Sequence, residues 1–148
     1  MAKSIWNADE RAALLARFDS VKPDAKPAWG VMSVSQMVKH CTLPFLAAAG
    51  EMKVTEKKTP FKNWGMKKLI IYVLPWPKGA PTADEFLNLD EGDLKERVAE
   101  LKRVANRFAD KGPGQTFSPH AAFGELTGAD WGALMHRHLE HHLRQFNA

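Results

Sequence analysis

Apolar side chains recur every three to four residues in four stretches of the chain, a spacing that places them on one face of an α-helix. By number, these stretches are 7–20, 34–49, 91–109 and 127–146. Each begins at or just after a residue that commonly caps helices, namely Asn7, Ser33, Asp90 and Thr127. No segment with strand character has a partner strand elsewhere in the sequence. The pattern therefore predicts an all-α fold.

The second and third helices are joined by a long connection, residues 51–90. Its later part contains Pro75, Pro77 and Pro81, which interrupt regular structure. Residues 63–74 (NWGMKKLIIYVL) could form a helix or a strand, and the lack of a partner strand favours a short helix. We expect residues 1–148 to form a single domain, a four-helix bundle with a long crossover connection and a short extra helix.

The apolar stripes also predict which side chains form the core. The stripe of the first helix comprises Ala8, Ala12, Leu15 and Phe18. The stripe of the third long helix comprises Leu94, Val98, Leu101, Ala105 and Phe108. In a bundle these stripes face one another, and we expect Leu101, in the middle of its stripe, to be buried.

Composition restricts the class of protein. A chain of 148 residues is long enough to bury a core as one domain. It has a single cysteine, Cys41, so no internal disulfide can form, and its N-terminus does not resemble a signal peptide. The longest apolar run, residues 69–76, is too short to span a bilayer. We therefore expect a cytoplasmic protein with no membrane partner.

Lysines are frequent between Lys53 and Lys68, with Phe61 and Trp64 among them, and the formal net charge is +4. A nucleic-acid surface needs a row of phosphate contacts and an element that reads the bases. No zinc finger, RNA-binding sheet signature or clear helix-turn-helix is visible in the sequence. A solvated lysine-rich loop is the favoured interpretation, and we expect no nucleic-acid partner.

The last helix carries four of the six histidines of the chain. At about 100° per residue, His136 points to the polar face of this helix and His141 lies on its flank. The remaining two histidines share the apolar face, which comprises Trp131, Leu134, Met135, His138, His142 and Gln145. The pattern therefore distinguishes His138 and His142 from their neighbours.

Histidines at i and i+4 project both imidazoles towards one point, a spacing that occurs in metal sites. Two ligands are too few for a tight site. His40 lies on the apolar face of the second helix, in the segment SVSQMVKHC, and is the candidate for the third ligand. The alternative interpretation is that His40, His138 and His142 are hydrogen-bonded core residues without a metal.

Two motifs of the chain resemble those of a known superfamily. The segment WGVMSVSQMVKHC has the pattern Trp-x-x-x-Ser-x-x-Gln-Met-x-x-His, and the last helix contains His-x-x-x-His-x-x-Gln. These motifs are similar to those of the DinB-like superfamily of bacterial four-helix-bundle metalloproteins. The end of the chain, PHAAFGELTGADWGALMHRHLEHHLRQF, most resembles an uncharacterised branch of that superfamily, a domain of unknown function.

The resemblance implies a divalent metal ion bound by one histidine of the second helix and two of the last, which correspond to His40, His138 and His142. The glutamine that follows the last ligand corresponds to Gln145. Better-known members of the superfamily use the metal for thiol S-transfer with bacillithiol or mycothiol, for isomerisation or for suspected hydrolysis. The branch matched here has no established activity.

The expected cofactors are therefore a divalent ion and a low-molecular-weight thiol. Zinc and nickel are favoured as the ion, with iron and manganese as alternatives. A metal-dependent enzyme of the transferase or hydrolase type, acting on a small-molecule substrate, is the leading interpretation. The alternative is a non-catalytic helical bundle that binds metal or forms a homodimer.

The sequence does not identify a general acid or base. Tyr72, Glu51 and Glu125 are candidate neighbours of the site, although each is expected mainly at the surface or as a capping partner. Cys41 is expected to be a small buried apolar residue. The aromatic residues that could line the entrance of a pocket are Trp29, Phe123 and Trp131.

Overall fold

The computed structural model describes residues 2–148, and within that range it is helical. The five α-helices are α1 (Ala8–Ala16), α2 (Val34–Ala48), α3 (Trp64–Tyr72), α4 (Leu94–Lys111) and α5 (Gly128–Gln145). Short 3₁₀ helices follow α1 and interrupt the connection between α2 and α4. Over residues 2–148 the only β-type pairing is a single bridge between His120 and Gly124. The prediction of an all-α bundle is confirmed.

The helices begin where side chains can satisfy their first free N–H groups. Ser33 and Gln36 form a complete capping box at the start of α2, and Thr127 and Asp130 form one at the start of α5. At the end of α2, Gly50 takes a φ of +77°, a value that glycine adopts without strain. The predicted boundaries of α2 and α5 are therefore confirmed to within one or two residues.

The start of α4 differs from the prediction. The cap is Asp93, whose side chain accepts a hydrogen bond from the backbone N–H of Glu96. Asp90 therefore does not cap the helix, because residues 90–93 are not helical and a cap acts only on the turn that directly follows it. Asp93, three positions further along the chain, caps the helix instead.

Helix α5 lies at the centre of the fold and contacts α1, α2 and α3, while α2 and α4 pack along each other. One continuous core contains buried side chains from all five helices. Asp130 ties α3 to α5, since it accepts hydrogen bonds from Lys68 Nζ (2.6 Å) and the Tyr72 hydroxyl (2.7 Å). The segment 63–74 contains a short helix, as predicted, and these two hydrogen bonds hold it against α5.

The predicted stripe of α1 is only partly correct. Leu15 and Phe18 are buried, but Ala8 and Ala12 are exposed. The N-terminal turns of α1 extend beyond the core, and the apolar contact at this end comes from Ile5, which precedes the helix and is fully buried. The Ile5 N–H donates to the carbonyl of Gly132 on α5, which fixes this segment against the central helix.

None of the helices in residues 2–148 combines the length and the apolar character needed to cross a membrane.

Several lysines of the segment from Lys53 to Lys68 form ion pairs with acidic residues of the same chain. Lys57 pairs with Asp84, Lys62 with Glu56 and Lys68 with Asp130.

Leu101 lies in the middle of α4 and is fully buried, as predicted. We expect Leu101→Ala to lower the free energy of unfolding by about 2–5 kcal/mol, because the substitution removes buried methyl groups and leaves a cavity. Urea denaturation followed by circular dichroism measures the change. The matched control is Leu69→Ala on α3, where the leucine is 38% exposed and the loss should be much smaller. Equal losses for the two variants would contradict the assigned core.

Candidate metal centre

Helices α2 and α5 bring three imidazoles together in the interior of the bundle. The Nε2 atom of His138 lies 3.2 Å from Nε2 of His40 and 3.2 Å from Nε2 of His142. His138 and His142 are one turn apart on α5, so a single rigid helix sets their spacing, and His40 faces them from α2. All three ligand atoms lie within 4.8 Å of one another, and the group could hold a metal ion.

Hydrogen bonds to the other ring nitrogens fix the proton positions of two of these histidines. His40 Nδ1 lies 2.9 Å from the carbonyl oxygen of Phe86, which can only accept, so Nδ1 carries the proton. His142 Nδ1 donates to Gln145 Oε1 (2.7 Å), and the Gln145 amide nitrogen in turn donates to the carbonyl of Trp29 (2.9 Å). In the neutral form, Nε2 of both His40 and His142 therefore presents a lone pair to the centre.

His138 is held differently, because its Nδ1 is buried and has no hydrogen-bond partner within residues 2–148. Its Nε2 faces two nitrogen lone pairs, and one Nε2 proton cannot satisfy both of them fully. A divalent cation placed between the three Nε2 atoms would instead accept a lone pair from each of them. Nitrogen ligands 2.0–2.1 Å from one ion lie about 2.9–3.4 Å apart for angles between 90° and tetrahedral, a range that includes the observed 3.2 Å.

The site also favours neutral imidazoles, the form that binds metal. Burial is the main cause that lowers the pKa of His142 to about 3, and the proximity of His40 adds to the effect. Burial likewise lowers the pKa of His40 and, together with the neighbouring histidines, the pKa of His138. At neutral pH all three rings are therefore uncharged. In His40 and His142 the one remaining proton is on Nδ1, so a metal ion does not have to displace a proton from Nε2.

The three histidines line one side of a cavity of about 300 Å³. Most of its wall is apolar and includes Phe61, Phe86, Phe123, Trp76 and Met135. No carboxylate of residues 2–148 lines it, and no fourth histidine, cysteine or acidic side chain joins the ligand group. An ion held by the triad would thus have an open side directed towards a mainly apolar cavity.

The other residues considered from the sequence divide into those that line this cavity and those that do not. Trp29 and Phe123 line it, whereas Trp131 is core, 2% exposed. Cys41 is buried beside Met37 and does not reach the cavity. The candidate acid or base residues also lie elsewhere: Tyr72 binds Asp130, Glu51 pairs with Arg107, and Glu125 is not part of the wall.

The expectation that His136 points to the polar face is wrong, since this residue is only 6% exposed. Helix α5 is covered on several sides, including the side of α1 and the N-terminal segment, so its polar face is narrow. His136 still does not line the cavity of the triad. His141 lies on the flank as predicted, half-buried at the edge of the cavity, with its ring 5.3 Å from that of Trp29.

Three features of the site were not predicted. The carbonyl of Phe86 orients His40, but it belongs to a 3₁₀ turn in the long connection, where no side-chain pattern marks it. Trp76 covers the triad, with its ring centre 6.0 Å from that of His138. His120 lines the same cavity although it lies in a loop. The apolar spacing that located the triad carries no information about loops.

Comparison with known proteins gives one assignment. Neither a curated protein nor a solved structure matches the chain significantly. The sequence profile of one family, described as a protein of unknown function (DUF1569), matches residues 7–148 and so includes His40, His138 and His142. The chain belongs to the DUF1569 family of proteins of unknown function.

Proposed function

We propose that this chain is a metal-dependent enzyme that holds one divalent ion between His40, His138 and His142 and acts on a small apolar molecule in the adjoining cavity. The observation that carries the proposal is the open side of the triad, which faces a mainly apolar cavity of about 300 Å³. A structural metal site is usually closed by protein ligands, whereas a catalytic site keeps a position open for water or substrate. The resemblance to the DinB-like superfamily supports the same proposal.

The residues around the triad hold the imidazoles in place. The Phe86 carbonyl fixes the ring of His40, and Gln145 fixes the ring of His142 through a chain that ends at the Trp29 backbone. Such outer partners set ligand orientation and basicity in metal sites. A bound divalent ion would supply Lewis acidity at the open side, which lowers the pKa of a thiol or a water molecule there. Zinc and nickel are the proposed ions.

Thiol S-transfer is favoured over hydrolysis because the cavity offers no carboxylate as a general base within residues 2–148. A thiol needs less assistance than water to ionise near neutral pH. In the proposed reaction the sulfur forms a bond to an electrophilic carbon of the substrate. That carbon releases a leaving group with its bonding electron pair, and the thiol proton goes to solvent. The proposed thiol is a low-molecular-weight cofactor of the bacillithiol or mycothiol type.

The remaining partner assignments are also proposals. We propose a cytoplasmic protein without nucleic-acid or membrane partners. A homodimer is supported by apolar side chains that α3 and the residue after it expose, such as Trp64 (75% exposed) and Val73 (68% exposed).

Metal analysis combined with a thiol assay tests the proposed function. The purified protein should contain close to one divalent ion per chain and should accelerate consumption of bacillithiol or mycothiol by an apolar alkyl halide. Treatment with a chelator should abolish the acceleration, and readdition of zinc or nickel should restore it. Bound metal without thiol consumption would favour the alternative, a non-catalytic metal-binding bundle.

A further inference from the structure

His120 is a polar side chain of the cavity wall that the proposed function does not use. It lies in the loop between α4 and α5 and shares the cavity wall with the triad. It is not a fourth ligand, because the group whose donor atoms lie within 4.8 Å of one another comprises only His40, His138 and His142. His120 therefore lines the part of the cavity that a substrate would fill.

The turn that contains His120 fixes the proton position of its ring. Nδ1 lies 3.0 Å from the backbone nitrogen of Ala122 and 3.2 Å from that of Phe123. Backbone N–H groups can only donate, so Nδ1 must accept and cannot carry the proton. The backbone of His120 also pairs with Gly124 in both directions, N–H to carbonyl, at 2.8 Å each, which holds the turn closed. The neutral ring thus carries its proton on Nε2.

The Nε2–H group has no partner within residues 2–148, and it is not among the fully buried unpartnered atoms. The Nε2 atom therefore keeps some accessible surface, and the residue that carries it lines the cavity. Burial lowers the pKa of His120 to about 4, so the ring is neutral at pH 7. Two other polar side chains of the wall are engaged within the chain: the Gln145 amide nitrogen donates to the Trp29 carbonyl, and the Trp76 indole N–H donates to the Ile70 carbonyl.

We infer that His120 is a fixed hydrogen-bond donor for the substrate, and that the substrate is a small apolar molecule bearing a carbonyl group. Its carbonyl oxygen would accept the Nε2–H of His120, and its apolar body would fill the space lined by Phe61, Phe123 and Met135. A fixed neutral donor at this oxygen also withdraws electrons from the carbonyl, which makes nearby carbon atoms better targets for a nucleophile. The inference rests on the proposed function only for the reaction at the triad, because the donor itself needs no metal.

A matched pair of probes separates the donor from the apolar cavity. Acetophenone carries a carbonyl oxygen, and α-methylstyrene has the same shape with a CH₂ group in its place. Both are added to metal-free protein labelled with ¹⁵N at histidine, and the ring signals are followed by NMR. We expect the His120 proton on Nε2 at pH 7. Acetophenone should shift that signal strongly and α-methylstyrene should not.

The test variant is His120→Asn, because the asparagine side-chain oxygen can occupy the place of Nδ1 and keep the hydrogen bonds of the turn, while its amide is too short to reach as far as Nε2. This variant should bind acetophenone roughly three- to tenfold more weakly and bind α-methylstyrene unchanged. An unchanged melting temperature would verify that the turn is intact. His120→Phe removes both functions and should destabilise the fold as well.

Three results would overturn the inference: a proton on Nδ1, equal loss of affinity for both probes in His120→Asn, or no response of the His120 signal to acetophenone. Because the protein is metal-free, these results do not depend on the proposed metal chemistry. A protein that binds no metal but shows the expected acetophenone response would retain the donor and lose the proposed function. A protein that binds metal without that response would do the reverse.

Discussion

His142→Ala and His138→Ala should each lose most of the bound divalent metal, because two remaining imidazoles cannot hold the ion tightly. In the structure these two side chains and His40 supply all three converging Nε2 atoms. Removal of an outer hydrogen-bond partner of a metal ligand typically weakens binding roughly 10–100-fold. Removal of the ligand itself should cost more than that. Isothermal titration of chelator-treated protein with zinc measures the effect.

The matched control is His141→Ala. His141 is adjacent to His142 in sequence and lines the same cavity, but its nitrogens are not part of the converging group. The His141→Ala variant should bind zinc with an affinity within a few fold of that of the unmodified protein. Gln145→Leu should be intermediate, since it removes only the acceptor of the His142 Nδ1 proton. If His141 proves essential and His142 dispensable, the helical register of the site is wrong.

The metal-free protein should lose stability steeply as the pH falls from 6.5 towards 5. In the folded chain burial lowers the pKa of His120 to about 4 and that of His142 to about 3, while both should titrate near 6.5 in the unfolded chain. Between the folded and the unfolded pKa values, the unfolded state binds more protons than the folded state. The free energy of unfolding therefore rises with pH in this range, and the contribution of these histidines reaches its maximum above pH 6.5. Each such histidine contributes a slope of up to about 1.4 kcal/mol per pH unit.

Urea denaturation midpoints at pH 7.5, 6.5, 5.5 and 5.0 measure this loss, in a range where most carboxylates are still ionised. His120→Asn removes one of the titrating groups and keeps the turn hydrogen bonds, so its slope should be smaller by up to about 1.4 kcal/mol per pH unit. A denaturation midpoint that does not change between pH 7.5 and 5.5 would contradict the burial of these histidines.

The elements that the sequence predicts well are those controlled by local spacing. The apolar faces of the second and last helices bring His40, His138 and His142 to one side of each helix, and two capping boxes fix where these helices begin. The convergence of the three side chains then follows once the helices pack. The resemblance to the DinB-like superfamily also indicates His142 rather than His141, because Gln145 corresponds to the glutamine that follows the last ligand there.

The features that the sequence does not predict depend on contacts between distant segments. His136 is buried because α5 is covered on several sides, which one helical stripe cannot reveal. The Phe86 carbonyl and His120 reach the site from the connections between helices. In such segments neither residue type nor spacing indicates which way a carbonyl or a side chain points. Helix α4 begins after Asp93 rather than after Asp90, and the course of the preceding chain decides this start.

The central claim is that one divalent ion binds between His40, His138 and His142. An anomalous-difference map from crystals of the metal-loaded protein, collected at the absorption edge of the ion, tests it most directly. The structure predicts a single strong peak roughly 2.0–2.1 Å from each of the three Nε2 atoms, with its open side towards the cavity. A peak bound by other side chains, or no peak at the triad in crystals soaked with zinc, would contradict the claim.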